Sequence, residues 1–315
     1  MEVFNTLRRR KYFARLCTNF NNQAGVNTKT LAAVRLPMPP LAKQRKLVAA
    51  MDESRAAHRA KLAEADALLA GMDAFVLDVL AIARPQEDGR RVFAIPTEAA
   101  SARFDPHFHT PRFAQIARML TTARAVPLGE LAIFSMEQWQ PVDHPEPTFR
   151  YIEISDVSPK TGEASCEEVH TDNAPSRARM LVRTDDVIVS LTRPHHGSIA
   201  HLGPEHDGCI ASTGFSVIRS VDTKKLRRDY LWCILRTQLC LEQMLQRASG
   251  GNYPAITEPE LRKVLIPTPP LDVQGRIAVE ASRRRLEARR LRQQADAEWQ
   301  TAKTEFEAAL LEGRK

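Results

Sequence analysis

Fourteen residues near the start of the chain, Leu31 to Gln44, recur 230 positions further on as Leu261 to Gln274. Leu31, Val34, Pro37, Pro39, Pro40, Leu41 and Gln44 reappear as Leu261, Val264, Pro267, Pro269, Pro270, Leu271 and Gln274. Leu36 and Leu47 become Ile266 and Ile277, so apolar character is kept. An internal repeat constrains architecture more than any single motif, because each copy must be the same structural unit. Each copy reads as a short apolar run able to close a strand, then Pro-x-Pro-Pro, then the first residues of a long periodic segment. The prolines lack amide donors and push each preceding residue to extended geometry. A globular domain therefore ends, a stiff elbow follows, and a long helix starts, twice.

The periodicity predicts the two helices. Residues 41–83 form one segment of about 40 residues, near 60 Å long. Leu41, Val48, Leu62, Leu69 and Val76 share one heptad track, broken by Arg55. Met51, Ala65, Met72 and Val79 share a second track that starts at Gln44. In residues 271–313, Leu271, Ala278, Trp299 and Phe306 share one track, with Arg285 and Arg292 interrupting. Gln274, Ala281, Ala288, Ala295, Ala302 and Ala309 share the other. An alanine seam admits a close partner, and two such helices in one chain pair most simply with each other, antiparallel. The predicted seam is thus Leu41, Val48, Leu62, Leu69, Met72 and Val76 against Ala281, Ala288, Ala295, Trp299, Ala302 and Phe306. Arg84 and Pro85 end the first helix, and Gln86 to Arg90 is a linker. The arginines at 283–285, 289, 290 and 292 leave two readings open: a solvated face, or a contact with phosphate or an acidic partner surface.

At 315 residues the chain has room for about two domains. No run of about 18 apolar residues predicts a membrane span, and Met1 to Lys11 lacks the apolar core of a signal peptide. The five cysteines are scattered, odd in number and form no Cys-x-x-Cys, which fits a reducing, cytoplasmic setting and argues against zinc. Net charge is +7, but residues 1–40 alone carry +6 and residues 90–263 balance to zero. Any DNA-binding surface in the central region must therefore gather its positive charge on one face.

Four segments are expected. Residues 1–40 form a remnant of a globular domain plus the elbow, with Phe4, Leu7, Phe13, Leu16 and Phe20 in a basic helical pattern. That piece packs on this chain or on a partner, or is partly disordered. Residues 41–84 are a spacer helix. Residues 91–265 form one complete domain, and residues 266–315 are the second elbow and helix. Within 91–265 the pattern predicts a helix from Pro111 to Ala123, a strand at Phe149 to Asp156, a turn at Ser158 to Gly162 and a buried strand at Asp185 to Leu191. A loop from Thr192 to Gly197, a glycine-interrupted strand from Cys209 to Arg219 and one helix from Arg228 to Arg247 follow. The class is α+β: one globular domain of mixed short strands and helices, plus two long antiparallel coiled-coil helices.

Arg103-Phe-Asp-Pro, Tyr151-Ile-Glu-Ile-Ser-Asp, the Asp186-Val-Ile-Val-Ser strand with Thr192-Arg-Pro, Ser212-Thr-Gly-Phe, Gly250 to Ile256 and both Pro-x-Pro-Pro-Leu-x-x-Gln copies stand in one order. In that order, from residue 21 onward, the chain resembles the DNA-specificity subunit of type I restriction–modification systems. The resemblance implies a target-recognition domain at 91–265 that reads double-stranded DNA, held by the two spacer helices. It also implies docking of adenine methyltransferase subunits on the helices, a translocating nuclease subunit, a bipartite DNA site, and no catalysis, cofactor or metal in this chain. The chain departs from the family in lacking the body of a first recognition domain. Half-size members of the family pair, which implies a homodimer here.

Base edges are read by polar and basic side chains on loops or helices. The candidates are Gln138, Trp139 and Gln140; Ser190, Thr192, Arg193, His195 and His196; and Asn252 and Tyr253. Lys160, Arg177 and Arg179 are candidate phosphate contacts. The alternatives are a solvated loop for 138–140, a structural turn fixed by Pro194 and Gly197, and packing for Tyr253. His195 and His196 have no third metal ligand at a useful spacing. No amino-methyltransferase Pro-Pro motif, glycine-rich cofactor loop or phosphate-binding loop is present. The competing class is a scaffold that docks methyltransferase through its helices without reading DNA.

Overall fold

The computed structural model describes residues 2–20, 23–83, 92–144 and 146–312. The end of the first spacer helix expected at Arg84 and Pro85, and the linker 86–90, lie outside the described residues. The elements run α1 (Glu2–Arg9), β1 (Thr18–Phe20), β2 (Gln23–Gly25), α2 (Thr28–Ala32), α3 (Leu41–Val79), α4 (Thr97–Ala102), α5 (Pro111–Thr122), β3 (Val126–Pro127), α6 (Leu128–Leu131) and β4 (Ala132–Phe134). Then come β5 (Thr148–Ile152), β6 (Glu167–His170), β7 (Ala178–Leu181), β8 (Val187–Ser190), β9 (Ile199–His201), β10 (Ile210–Ser212), β11 (Phe215–Val221), α7 (Arg228–Leu235), α8 (Gln238–Arg247), α9 (Glu258–Leu261), β12 (Leu265–Ile266) and α10 (Leu271–Leu311). The chain divides into two compact units, Met1–Asp66 with Glu287–Lys315, and Ala67–Leu286.

In the first unit, α3 and α10 run antiparallel. Met51 is buried with Phe306 and Leu310, His58 lies 3.3 Å from Asp296, Lys61 pairs with Glu298, and Asp66 accepts from Arg292 at 2.8 Å. From Met51 to Asp66 along one helix, the partners run back from Phe306 to Arg292 along the other. Ala288 and Ala295 are buried as the seam requires, and Trp299 sits between the Arg55 guanidinium and the His58 ring. The start of α3 departs from expectation: Leu41 and Val48 are 61% and 56% exposed, so the buried seam begins near Met51. The basic helical pattern that carries Phe4, Leu7, Phe13, Leu16 and Phe20 is a continuous helix only over Glu2–Arg9. Lys11, in the left-handed region at φ 53°, ends α1, and a one-turn helix and a hairpin follow. Val3 packs beside Met51 and Phe306, and Arg9 pairs with Glu307 at 2.7 Å, so this piece packs on its own chain.

In the second unit the helices stay paired: Arg284 of α10 donates to the Gly71 carbonyl at 2.8 Å and stacks over Phe75, while Val76, Ile277 and Ala281 are buried in one core. Helix α3 stops at Val79 because Ala81 turns left-handed and Ile82 folds back, donating to the Leu77 carbonyl at 2.9 Å. Two four-stranded sheets carry the domain, in the orders β6-β5-β10-β7 and β4-β11-β8-β9, with a small β12-β3 pair. Only β5–β10 is parallel in these ladders. The glycine that interrupts Cys209 to Arg219 divides the run between the two sheets, β10 in one and β11 in the other. The single helix expected over 228–247 is two, because Thr237 is extended (φ −74°, ψ 152°). Asp73 of α3 accepts the Gln238 amide at 2.7 Å, capping α8 from outside the segment, which no reading of 228–247 could reveal.

The fold is α+β with mixed short strands and helices and two long antiparallel helices. Among the described residues, no helix is long and apolar enough to cross a membrane.

Candidate nucleic-acid interface

Strands β8 and β10 end, and β7 and β11 begin, at the same edge of their sheets. The loops at that edge are tied together by backbone hydrogen bonds. Trp139 donates to the Arg179 carbonyl at 2.7 Å, Thr213 to Arg177 at 2.8 Å, Leu191 to Gly214 at 2.7 Å, Ile256 to Leu191 at 2.8 Å and Arg193 to Pro254 at 2.7 Å. The segments 138–140, 177–179, 213–214, 191–196 and 252–256 thereby form one continuous strip. Candidates separated by more than 100 positions in sequence are neighbours in it.

Gln138, Gln140, Lys160, Arg177, His196, Asn252 and Tyr253 are exposed, and Arg179, Thr192, Arg193 and His195 are half-buried. Two candidates do not face solvent. Trp139 is 5% exposed and packs on Phe149, with ring centroids 4.5 Å apart; a large apolar ring beside a sheet is worth more buried than displayed. Ser190 is 1% exposed and its Oγ donates to the Thr192 carbonyl at 2.8 Å, so it shapes the turn from inside. Arg179 donates to the Ala178 carbonyl at 2.6 Å, which orients it along its own strand.

The Thr192–His196 turn carries a strained backbone. Arg193 is left-handed at φ 46°, ψ 53°, a region costly for a residue with a Cβ. Its Nη2 donates to the Asn252 carbonyl at 3.2 Å, and its guanidinium carbon lies 4.2 Å from the Tyr253 ring centroid. The His195 and His196 rings meet edge to face at 4.6 Å. Burial first, then the proximity of His196 and Arg193, hold the His195 pKa below its ordinary value. Its Nδ1 is buried with no hydrogen-bond partner among the described residues. Among those residues no three His, Cys, Asp or Glu side chains are grouped to hold a metal.

Two residues that build the strip were not singled out from sequence. Arg236, on the turn between α7 and α8, donates to the carbonyls of Gly197 (2.9 Å), Ile199 (3.2 Å), Pro159 (3.0 Å) and Lys160 (3.1 Å). It thus clamps the 158–162 turn, which carries Lys160, to the histidine turn. Burial, then Arg285, push its pKa down to about 10, leaving it charged at pH 7. The clamp needs glycine at 162: φ is +67°, and a Cβ there would meet Trp232 at 2.7 Å and Arg236 at 2.8 Å. An arginine beside the apolar Tyr230–Leu235 run was the available signal.

Arg219 is the second. It donates to Asp186 and Glu137, each at 2.8 Å, to Ser135 Oγ at 3.1 Å and to the Leu181 carbonyl at 3.0 Å, stitching the two sheets behind the strip. Arg219, then Arg183, lower the Glu137 pKa, while burial raises that of Asp186 against the pull of Arg183 and Arg219.

Comparison with known proteins finds similarity over part of this region. Residues 128–279 match the family model described as the type I restriction modification DNA specificity domain. The chain is similar to the HsdS subunit from Thermoanaerobacter tengcongensis, with 36% identity, 49% of this chain and 40% of that one covered, and a TM-score of 0.44. It is similar to a structure solved for complex assembly and conformational transition of the type I R-M system, with 38% identity, 54% and 44% covered, and a TM-score of 0.47. Against the type I S subunit from M. genitalium, identity is 12%, coverage 98% and 70%, and the TM-score 0.43. The matches to the first two cover less than half the length of those chains. No curated protein matches the chain. Residues 128–279 are thus similar to the DNA specificity domain of type I restriction–modification systems.

Proposed function

We propose that the chain is the non-catalytic, sequence-reading subunit of a cytoplasmic type I restriction–modification complex, with residues 91–265 as its recognition domain. The observation that carries this reading is the strip itself. Glutamine, arginine, lysine, histidine and asparagine side chains from five separate segments meet at one edge of two sheets, on a rigid frame. Such a set suits base edges (Gln138, Gln140, Thr192, Arg193, His195, His196, Asn252, Tyr253) flanked by phosphate contacts (Lys160, Arg177, Arg179). The paired helices α3 and α10 are the docking rods for adenine methyltransferase subunits and, through them, a translocating nuclease. Two copies pair to read an interrupted, bipartite duplex site.

Equilibrium binding to a random-sequence duplex over a salt series tests the DNA reading. The logarithm of affinity falls linearly with the logarithm of salt concentration, and Arg177→Ala makes that slope shallower by about 1. Absent binding at low salt, with the chain folded, contradicts the reading.

A further inference from the structure

Arg193 is held more tightly than a phosphate contact requires. Its left-handed backbone is fixed from both sides: its amide donates to the Pro254 carbonyl at 2.7 Å, Thr192 bridges to Ala255, and the next residue, Pro194, is buried. Its side chain is fixed as well, with Nη2 on the Asn252 carbonyl at 3.2 Å and the guanidinium over the Tyr253 ring at 4.2 Å. The turn that supplies both partners closes through a Ser249–Ala255 bridge and needs glycine at 250. There φ is +100°, and a Cβ would stand 3.1 Å from the Tyr253 carbonyl oxygen. Tyr253 is 71% exposed, so its ring is not spent on the core.

We propose that Arg193 reads a guanine through its O6/N7 edge, and that Tyr253 is the residue that presents it. This rests on the DNA-reading function above and names its chemistry. A phosphate needs a nearby charge; a guanine edge needs a planar fork in a set orientation, which stacking on a ring and anchoring to a carbonyl supply. Holding the plane in the free protein removes the ordering cost at the moment of binding. Asn252 contributes its backbone, so its identity matters less than that of Tyr253.

The test uses the full chain and its selected duplex, with each guanine replaced in turn by 7-deazaguanine, which lacks the N7 acceptor. Wild type loses roughly 10- to 100-fold affinity at one guanine. Arg193→Gly binds the unmodified duplex more weakly by a similar factor and is insensitive to the change at that guanine, while Arg193→Lys, which keeps a donor but loses the planar fork, also binds more weakly than wild type. The glycine variant accepts the left-handed backbone and so keeps the turn intact. Tyr253→Phe, which keeps the ring, stays within about twofold of wild type, and Tyr253→Ala lies between wild type and the Arg193 variants. If Arg193→Gly retains full sensitivity at every guanine, Arg193 reads none of them and the proposal is overturned. A wild-type chain that binds duplexes but enriches no sequence overturns the reading of bases altogether.

Discussion

Gln44 and Gln274 make the same hydrogen bond in the two copies of the repeat: each Nε2 donates to the carbonyl five residues back, Pro39 at 2.7 Å and Pro269 at 2.8 Å. The side chain ties the proline elbow to the first turn of the long helix, which explains why Gln recurs with the prolines. The surroundings differ. Gln274 is fully buried, donates also to the Lys225 carbonyl and accepts the Arg227 amide at 2.8 Å. Gln44 is half-buried.

That difference is measurable. Gln274→Ala strands the Arg227 amide and two carbonyls in the interior and costs about 2–3 kcal/mol, whereas Gln44→Ala costs about 0.5–1 kcal/mol. Chemical denaturation of both variants checks the order; equal losses would mean that the bond to the elbow alone carries the stability.

Arg219 is the counter-ion of Asp186, which has no exposed surface. Arg219→Met leaves a buried carboxylate unpaired and removes the link to Glu137, at a cost of about 3–5 kcal/mol. Asp186→Asn with Arg219→Met restores part of that loss, because neither sheet then holds a bare charge. A double-mutant cycle showing simple additivity contradicts the network.

Arg236→Lys retains a charge but cannot reach four carbonyls at once. The 158–162 and 195–199 segments then lose their common anchor, and protection of their amides against hydrogen exchange falls while that of β8 and β11 is kept. Uniform loss of protection would show that Arg236 supports the core rather than the loops.

Acid sensitivity follows from Glu280, which accepts from Arg283 at 2.7 and 2.8 Å and from Arg284 at 2.7 Å. Arg283 first, then Arg284, lower its pKa from the ordinary 4.5 to about 2. A depressed carboxylate contributes stability that is complete above its unfolded-state pKa and is lost as pH falls through the folded-state value. The contribution therefore fades between pH 4.5 and about 2. Denaturant midpoints of Glu280→Gln fall less steeply than wild type across that window; parallel curves contradict the assignment.

The long helices were legible because heptad spacing and repeated prolines are local patterns. Ala281, Ala288 and Ala295 are buried where the sevens place them. The exposure of Leu41 and Val48 was not legible, since periodicity gives a face and not what covers it. The candidate loops were found one by one from residue type, but their convergence depends on contacts such as Arg177 with Thr213 and Leu191 with Gly214, which join distant segments. Trp139 and Ser190 misled for the same reason: a polar neighbourhood in sequence says nothing about which side of a sheet a side chain takes. The roles of Arg236 and Asp73 were not legible because each serves a backbone group on another element.

The most direct test of the central claim is selection of bound sites from a library of random DNA duplexes by the full chain with a type I methyltransferase subunit present. The account predicts enrichment of an interrupted palindrome, each half read by one copy of the domain, and loss of that enrichment when Gln140 and Arg193 are replaced together. A library that returns unenriched, with methyltransferase binding intact, would show a scaffold that docks its partner without reading DNA.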